Sequence, residues 1–527
     1  MNKQKIQVWL PLLLSISMIG GIFIGFKMRD NFPGKNFFSI EKATPVEEVM
    51  ELIQKKYVDQ VNMKNLADTA IDAMLNKLDP HSLYIPPSRL EDINDEIQGN
   101  FYGIGIEFEI YKDTLNVIHV LKDGPGEKSG LLAGDKLIRV NEILVAGKKI
   151  AADSIRSLLR GSRGTNINIE IFRNTALIKI PLTRDLVPVN SIDVAYMMNK
   201  ETGFIKLNKF STQTYREFMI ALTDLKKQGL KNLIFDLRGN GGGVLDDAID
   251  IADEFLEGDK LITYTEGVHF PKKEYRCRRL GQFEKGKLIV LADEESASAS
   301  EVLMGALQDW DRATIIGRRS FGKGLVQEQY DLSDHGALRL TIARYYTPTG
   351  RSIQRSYANG EKAYYAEIEE RIMNSNNVNN DSAANNGKLF LSPSGKKLYS
   401  GGGIMPDYLM NTDSSDISND LLSLYAKGTI NHFAFQYTYL NKDLKLKYPT
   451  PALFTTTFNI SDANWNQLTN EMQADSIDIK RISAKDKQNI ITDLKALIAR
   501  LVWEKNGYFQ VLNSNDKTIK KALEIIN

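Results

Sequence analysis

At 527 residues the chain exceeds what one hydrophobic core usually serves, so several units are expected. Basic and acidic residues balance at 67 against 66, which removes any chain-wide electrostatic footprint for nucleic acid. A single cysteine, Cys277, excludes an internal disulfide framework and a CxxC metal site, while ordinary hydrophobic and charged fractions, 42% and 25%, leave the membrane question to one segment.

That segment is the uncharged run Val8 to Phe26. As a helix it spans roughly 28 Å, close to the hydrocarbon thickness of a bilayer. Lys3 and Lys5 precede it as in the n-region of an export signal, and Lys27 and Arg29 follow. No A-x-A cleavage site is evident. Residues 1–30 are therefore expected to form a signal anchor, with the rest of the chain outside the cytoplasm; a cleaved signal peptide is the alternative. Residues 31–42 read as a tether. A helical region follows over 43–96. Thr44-Pro45-Val46-Glu47 opens its first helix with a capping box and a proline at the first turn. A second helix is predicted near Lys64 to Lys77, ended by Asp79-Pro80.

From about Gly99 the hydrophobic period becomes two. Ile106, Phe108 and Ile110 alternate with Glu107, Glu109 and Tyr111, and a second strand covers Leu115 to Leu121. Gly124-Pro125-Gly126, Ser129-Gly130-Leu131 and Gly134-Asp135-Lys136-Leu137 follow, then a short helix over Asp153 to Arg160 and a strand over Ile167 to Phe172. Residues 97–187 resemble a PDZ domain of the circularly permuted bacterial type. Such domains add a peptide as an extra strand and hold its terminal carboxylate on backbone N–H groups of a glycine-containing loop. The matching loop is Gly103-Ile104-Gly105-Ile106, where glycine permits close backbone approach. The plainer reading of these glycines is a turn or bulge.

Strands alternating with helices over 188–409 imply an α/β core. Asn232 to Phe235 is a buried strand running into Asp236-Leu237-Arg238-Gly239-Asn240-Gly241-Gly242-Gly243, with a helix from Leu245 to Leu256. Leu288 to Leu291 is a second strand and Ala299 to Trp310 a second helix. Residues from about 374 to 388 read as a flexible Asn-rich insertion. Residues 410–527 carry helical patterning without a chemical motif.

The chemistry concentrates between the second strand and its helix. Ser298 lies among alanines in Glu295-Ser296-Ala297-Ser298-Ala299-Ser300-Glu301, and Lys323 is bracketed by glycines in Ser320-Phe321-Gly322-Lys323-Gly324. A serine hydroxyl needs a base to become a nucleophile. None of the five histidines sits in a triad context, but a lysine serves when burial lowers its pKa. Gln327 lies four residues on, able to hold the amine. The helix opening after Ser298 offers the Ala299 N–H to an oxyanion, and the Gly241-Gly242-Gly243 loop offers a second donor, with Gly242 the best single choice. Taken alone, a serine before a helix is more often a cap.

With the PDZ domain before them, SASASE, SFGKGLVQ and DLRGNGGG resemble the carboxyl-terminal processing, or tail-specific, proteases over about residues 43–408. The resemblance implies a ClpP/crotonase-like α/β core with an inserted PDZ domain, an N-terminal helical segment and a mainly helical C-terminal extension. It implies a Ser–Lys endopeptidase that needs no metal and no cofactor. Ser298 matches the nucleophile rather than Ser296 or Ser300, Lys323 the general base and Gln327 its support. His81, in Asp79-Pro80-His81-Ser82, matches a recurrent turn and reads as structural. The implied partners are proteins with free C-terminal tails, not nucleic acid. The implied place is the periplasmic face of the bacterial inner membrane, and a homo-oligomer or an adaptor protein is left open. Three other readings compete. DLRGNGGG lacks the Lys-Ser/Thr of a P-loop, which disfavours nucleotide binding. A crotonase-type acyl-CoA enzyme would need neither the PDZ domain nor the Ser–Lys pair. A catalytically silent PDZ scaffold of the cell envelope would lack the serine or the lysine, and both are present.

Overall fold

The computed structural model describes residues 9, 11–12, 14–23, 44–373, 387–411 and 419–527. The expected tether and residues 374–386 of the expected insertion lie outside them. The chain divides into two compact units, residues 1–71 and 72–527. In the first, the described part of the run 8–26 is helical. Among the described residues no helix is long and apolar enough to cross a membrane, so the expected anchor finds no support there. Helix Pro45–Lys56 is capped as its opening residues predict: the Thr44 N–H donates to Glu47 Oε2 at 2.6 Å.

The second unit is built on a six-stranded sheet in the order Ile192–Met197, Thr202–Leu207, Asn232–Asp236, Leu288–Ala292, Thr314–Gly317, Tyr408–Leu409. The first pair is antiparallel and the rest are parallel. Parallel strands are covered on both faces, which is why Leu233-Ile234-Phe235 is apolar throughout instead of alternating. Leu233, Phe235 and Val290 face the helices Thr214–Lys227, Leu245–Asp253 and Ala299–Asp309. Phe204, Ile234, Ile289 and Leu291 face the other way, onto Ile519, Ala522 and Ile526 of helix Lys517–Ile526. Fully burying an isoleucine contributes about 1.5–3 kcal/mol, so this last helix belongs to the sheet's stability.

A second, antiparallel sheet carries Leu325–Asp331 against Ala337–Tyr346, which also pairs with Leu83–Ile85 and Leu261–Glu266. The PDZ sheet runs Ile106–Tyr111, Thr114–Val120, Lys136–Val140, Asn166–Arg173, Ala176–Thr183, so Ile106–Tyr111 is an edge strand. Helix Ala152–Leu159 buries Ile155 and Leu159 beneath it. The helices from Asn419–Ala426 to Ala484–Asn515 have their own core around Phe454, Leu468, Ile490 and Leu494. They grip the PDZ edge strand: Arg500 pairs with Glu107 at 2.6 Å, and the His432 ring stacks on Tyr111 with centroids 3.8 Å apart.

Candidate active site

Strand Leu288–Ala292 ends in a turn that delivers Ser298 to the first position before helix Ala299–Asp309. Ser298 sits at φ 54°, ψ −115°, a conformation an L-residue adopts only when its surroundings over-determine it. The flanking serines are already engaged. Ser296 Oγ donates to the Leu237 carbonyl at 2.9 Å, and Ser300 Oγ to the Asn240 carbonyl at 3.0 Å. Both bonds tie the serine turn to the loop after Asn232–Asp236.

That loop presses on Ser298. Gly242 has φ 97°, and a Cβ there would lie 2.7 Å from the Ala297 carbonyl oxygen and 2.8 Å from Ser298 Cβ. Only glycine fits. Buried Asn240 shapes the loop: its Nδ2 donates to the Leu207 carbonyl at 3.0 Å, and its Oδ1 accepts the Gly242 N–H at 2.9 Å. The N–H chosen from sequence as an oxyanion donor is therefore already committed. Among the described residues the N–H groups of Gly241, Gly243 and Ala299 make no hydrogen bond.

Lys323 lies on the connection into strand Leu325–Asp331. Its Nζ donates to Gln327 Oε1 at 2.9 Å, and Gln327 Nε2 donates to the His81 carbonyl at 2.5 Å. The carbonyl partner fixes which end of the amide faces the lysine. Burial, helped by the positive charge of Arg339, pulls the Lys323 pKa below its usual value. Its hydrogen bond is to Gln327, and Ser298 Oγ is not among its partners. Burial and then Lys323 push His81 down to about 3, so its ring is neutral. Its Nε2 lies 3.0 Å from Tyr364 Oη.

Two side chains join the serine and lysine segments, and neither was assigned a role from sequence. Glu301 is fully buried and accepts four donors: the Ser298 N–H at 2.9 Å, Ser320 Oγ at 2.5 Å, the Gly322 N–H at 2.7 Å and the Lys323 N–H at 2.8 Å. Burial raises its pKa, yet the donors all favour the ionised carboxylate. Its position three residues into the helix is the signal that could have found it. Tyr345 Oη donates to the Ser298 carbonyl at 3.1 Å and also to the Lys323 carbonyl. Nothing in the sequence announces that contact.

The PDZ loop is a second candidate site. Gly103 closes strand Asn100–Gly103, Ile104 is buried, Gly105 has φ 69° and Ile106 opens the edge strand. The N–H groups of Ile104 and Gly105 make no hydrogen bond among the described residues. Those residues also hold no group of His, Cys, Asp or Glu side chains that could bind a metal.

Comparison with known families matches residues 201–360 to Peptidase family S41 and 103–183 to the PDZ domain. Residues 28–87 match the activating protease CtpB N-terminal domain, and 421–504 a family of unknown function. The carboxy-terminal-processing protease of Bartonella bacilliformis is 37% identical over 317 residues, 58% of this chain and 71% of that one. A probable CtpA-like serine protease of Staphylococcus epidermidis is 33% identical over 310 residues, 58% of this chain and 62% of its own length. Among solved structures, the photosystem II D1 C-terminal processing protease is 25% identical with a TM-score of 0.36, covering 70% of this chain and 88% of that one.

Proposed function

The chain belongs to peptidase family S41 as a carboxy-terminal-processing serine peptidase, and on that premise we propose an extracytoplasmic endopeptidase that reads disordered C-terminal tails through its PDZ domain and cuts with Ser298 and Lys323. The observation that carries the reading is the half-buried Lys323 amine, lowered in pKa and held by Gln327, on a segment that Glu301 and Tyr345 tie to the strained serine turn. A neutral amine can take the serine proton; an ordinary lysine at neutral pH cannot.

In the proposed reaction Ser298 Oγ adds to the scissile carbonyl carbon while its proton passes to Lys323 Nζ. The carbonyl π electrons move to oxygen, which the uncommitted Ala299 N–H and the glycine loop receive. Collapse breaks the C–N bond, and the lysine proton leaves with the amine. Water then attacks the acyl-enzyme with Lys323 taking its proton, and collapse breaks the acyl C–Oγ bond, returning that proton to Ser298 Oγ and releasing the new C-terminal carboxylate. Nζ must turn from Gln327 toward Oγ for the first step, a tightening expected on substrate binding. Gly103 to Ile106 would take the tail carboxylate, and the tail would pair with the edge strand Ile106–Tyr111.

The test is cleavage by the full chain of a disordered polypeptide with a free apolar C-terminus, beside amidated and charged-tail versions. Cleavage lost in Ser298→Ala and in Lys323→Ala, and weakened by amidation, supports the proposal. Tail binding without cleavage under all conditions would favour the silent scaffold. Placement outside the cytoplasm rests on the uncharged run Val8–Phe26 behind Lys3 and Lys5. A phosphatase reporter fused after Asn31 is active only if the run directs export, and carbonate extraction separates an anchored chain from a released one.

A further inference from the structure

We propose that Asp516, from the C-terminal helical region, is a positioning residue for the glycine loop beside Ser298; the inference rests on the serine-peptidase reading above. The loop leaves strand Asn232–Asp236 at Leu237 and Arg238, and its residues are pinned in succession. The Arg238 carbonyl accepts Lys206 Nζ at 2.8 Å. The Gly239 N–H donates to Asp293 Oδ1 at 3.0 Å, and Asn240 binds Leu207 and Gly242.

The Arg238 side chain makes the first of these anchors. Its Nε and Nη2 grip the two oxygens of Asp236 at 2.9 and 2.7 Å, and its Nη1 reaches Asp516 Oδ2 at 2.7 Å. Asp516 lies 278 positions further along the chain. Its other oxygen caps helix Lys517–Ile526, accepting the Thr518 N–H at 2.7 Å and the Ile519 N–H at 3.1 Å. That helix is seated on the catalytic sheet through Ile519, Ala522 and Ile526. One carboxylate therefore joins a rigid platform to the residue that launches the loop.

Charge makes the contact matter. Asp236 alone faces two cations, Arg238 and Lys206, the latter 3.7 Å away. Asp516 balances the group. Without it the guanidinium of a side chain that is four-fifths buried loses an acceptor, and the cluster keeps a surplus positive charge. The relief open to it is a shift of Arg238, and Gly242 stands four residues downstream with no free space against Ser298. Catalytic donors tolerate displacements of only about 0.5 Å.

Asp516→Asn in the full chain tests this, because asparagine caps a helix as well as aspartate does but cannot offer Arg238 a charge. The expected result is a kcat lowered about tenfold or more with KM within twofold. Amide exchange at 237–243 should be faster, while the amides of 518–526 stay protected. Lys520→Ala, exposed on the same helix, should leave kcat unchanged. In Arg238→Lys, which keeps the charge but cannot bridge both carboxylates, Asp516→Asn should add less than twofold further loss. Should Asp516→Asn not fold, Arg238→Lys alone carries the same expectation and the same refutation. A kcat within twofold of the parent with unchanged exchange at 237–243 overturns the proposal. So does a loss accompanied by exchange throughout 518–526, which would mean plain undocking of the helix. If the parent chain cleaves nothing, the peptidase reading fails, and the exchange difference still decides whether Asp516 positions the loop.

Discussion

Replacing Gly242 with alanine probes how closely the glycine loop is fitted to the serine. The new Cβ would lie 2.7 Å from the Ala297 oxygen, 2.8 Å from Ser298 Cβ and 2.9 Å from the Ala299 nitrogen. Carbon–carbon contacts relax at about 3.5–4.0 Å, so the loop and the serine turn must part by roughly 0.7–1.2 Å. The backbone adds its own cost, about 1–2 kcal/mol, because φ 97° suits glycine and not an L-residue. A misplacement of about 1 Å at reacting groups lowers rate about 100-fold. The expected outcome is a kcat about 100-fold down with tail-peptide affinity unchanged, read from initial rates at saturating substrate and from fluorescence anisotropy. Gly241→Ala is the control, since its Cβ would meet nothing within 4 Å and its φ is not positive. Its kcat should stay within about twofold of the parent. A Gly242→Ala enzyme retaining more than a third of the parental kcat would refute the reasoning, as would equal damage at Gly241.

Lys323→Met should abolish cleavage yet stabilise the fold at pH 7. The lysine pKa is lower in the folded chain than its usual 10.5, so the cost of burying its charge is complete below the folded value. That cost fades as pH rises toward 10.5, so the methionine gain in urea denaturation must shrink from pH 7 to pH 10; a gain that grows contradicts the argument. By the same sign, kcat/KM of the parent should rise with pH through the lowered Lys323 value. Glu301→Gln turns an amide NH2 toward N–H donors and should cost about 3 kcal/mol or more of unfolding free energy; a loss under about 1 kcal/mol would mean the four donors find other partners. Ser298→Gly and Ser298→Ala should both be inactive, with glycine the more stable by about 1 kcal/mol because it accepts φ 54° without strain, and thermal melts that rank them the other way would disprove the strain.

Much of the molecule is written locally. The Thr44 capping box, the edge strand Ile106–Tyr111 and the apolar strand Asn232–Asp236 follow from residue spacing, because capping, pleat and two-sided burial act between near neighbours. The serine turn, the glycine loop and the lysine are legible for the same reason, and Gln327 meets Lys323 from only four positions away. What holds those segments together is not legible. Tyr345, the His81 carbonyl and Asp516 reach the site across long stretches of chain, and no periodicity encodes a partner 246 or 278 positions distant. Sequence favoured the Gly242 N–H as a donor, whereas the folded loop gives that N–H to Asn240. The positive φ of Ser298 is likewise a product of the whole: an isolated serine turn would relax, and it is the packed glycine loop, Glu301 and Tyr345 that hold it. The sequence alone singled out the candidate groups for the chemistry, the serine turn, the glycine loop and the lysine. Tertiary packing decided their strain, their burial and their donors, because those depend on segments that meet only once the chain has folded.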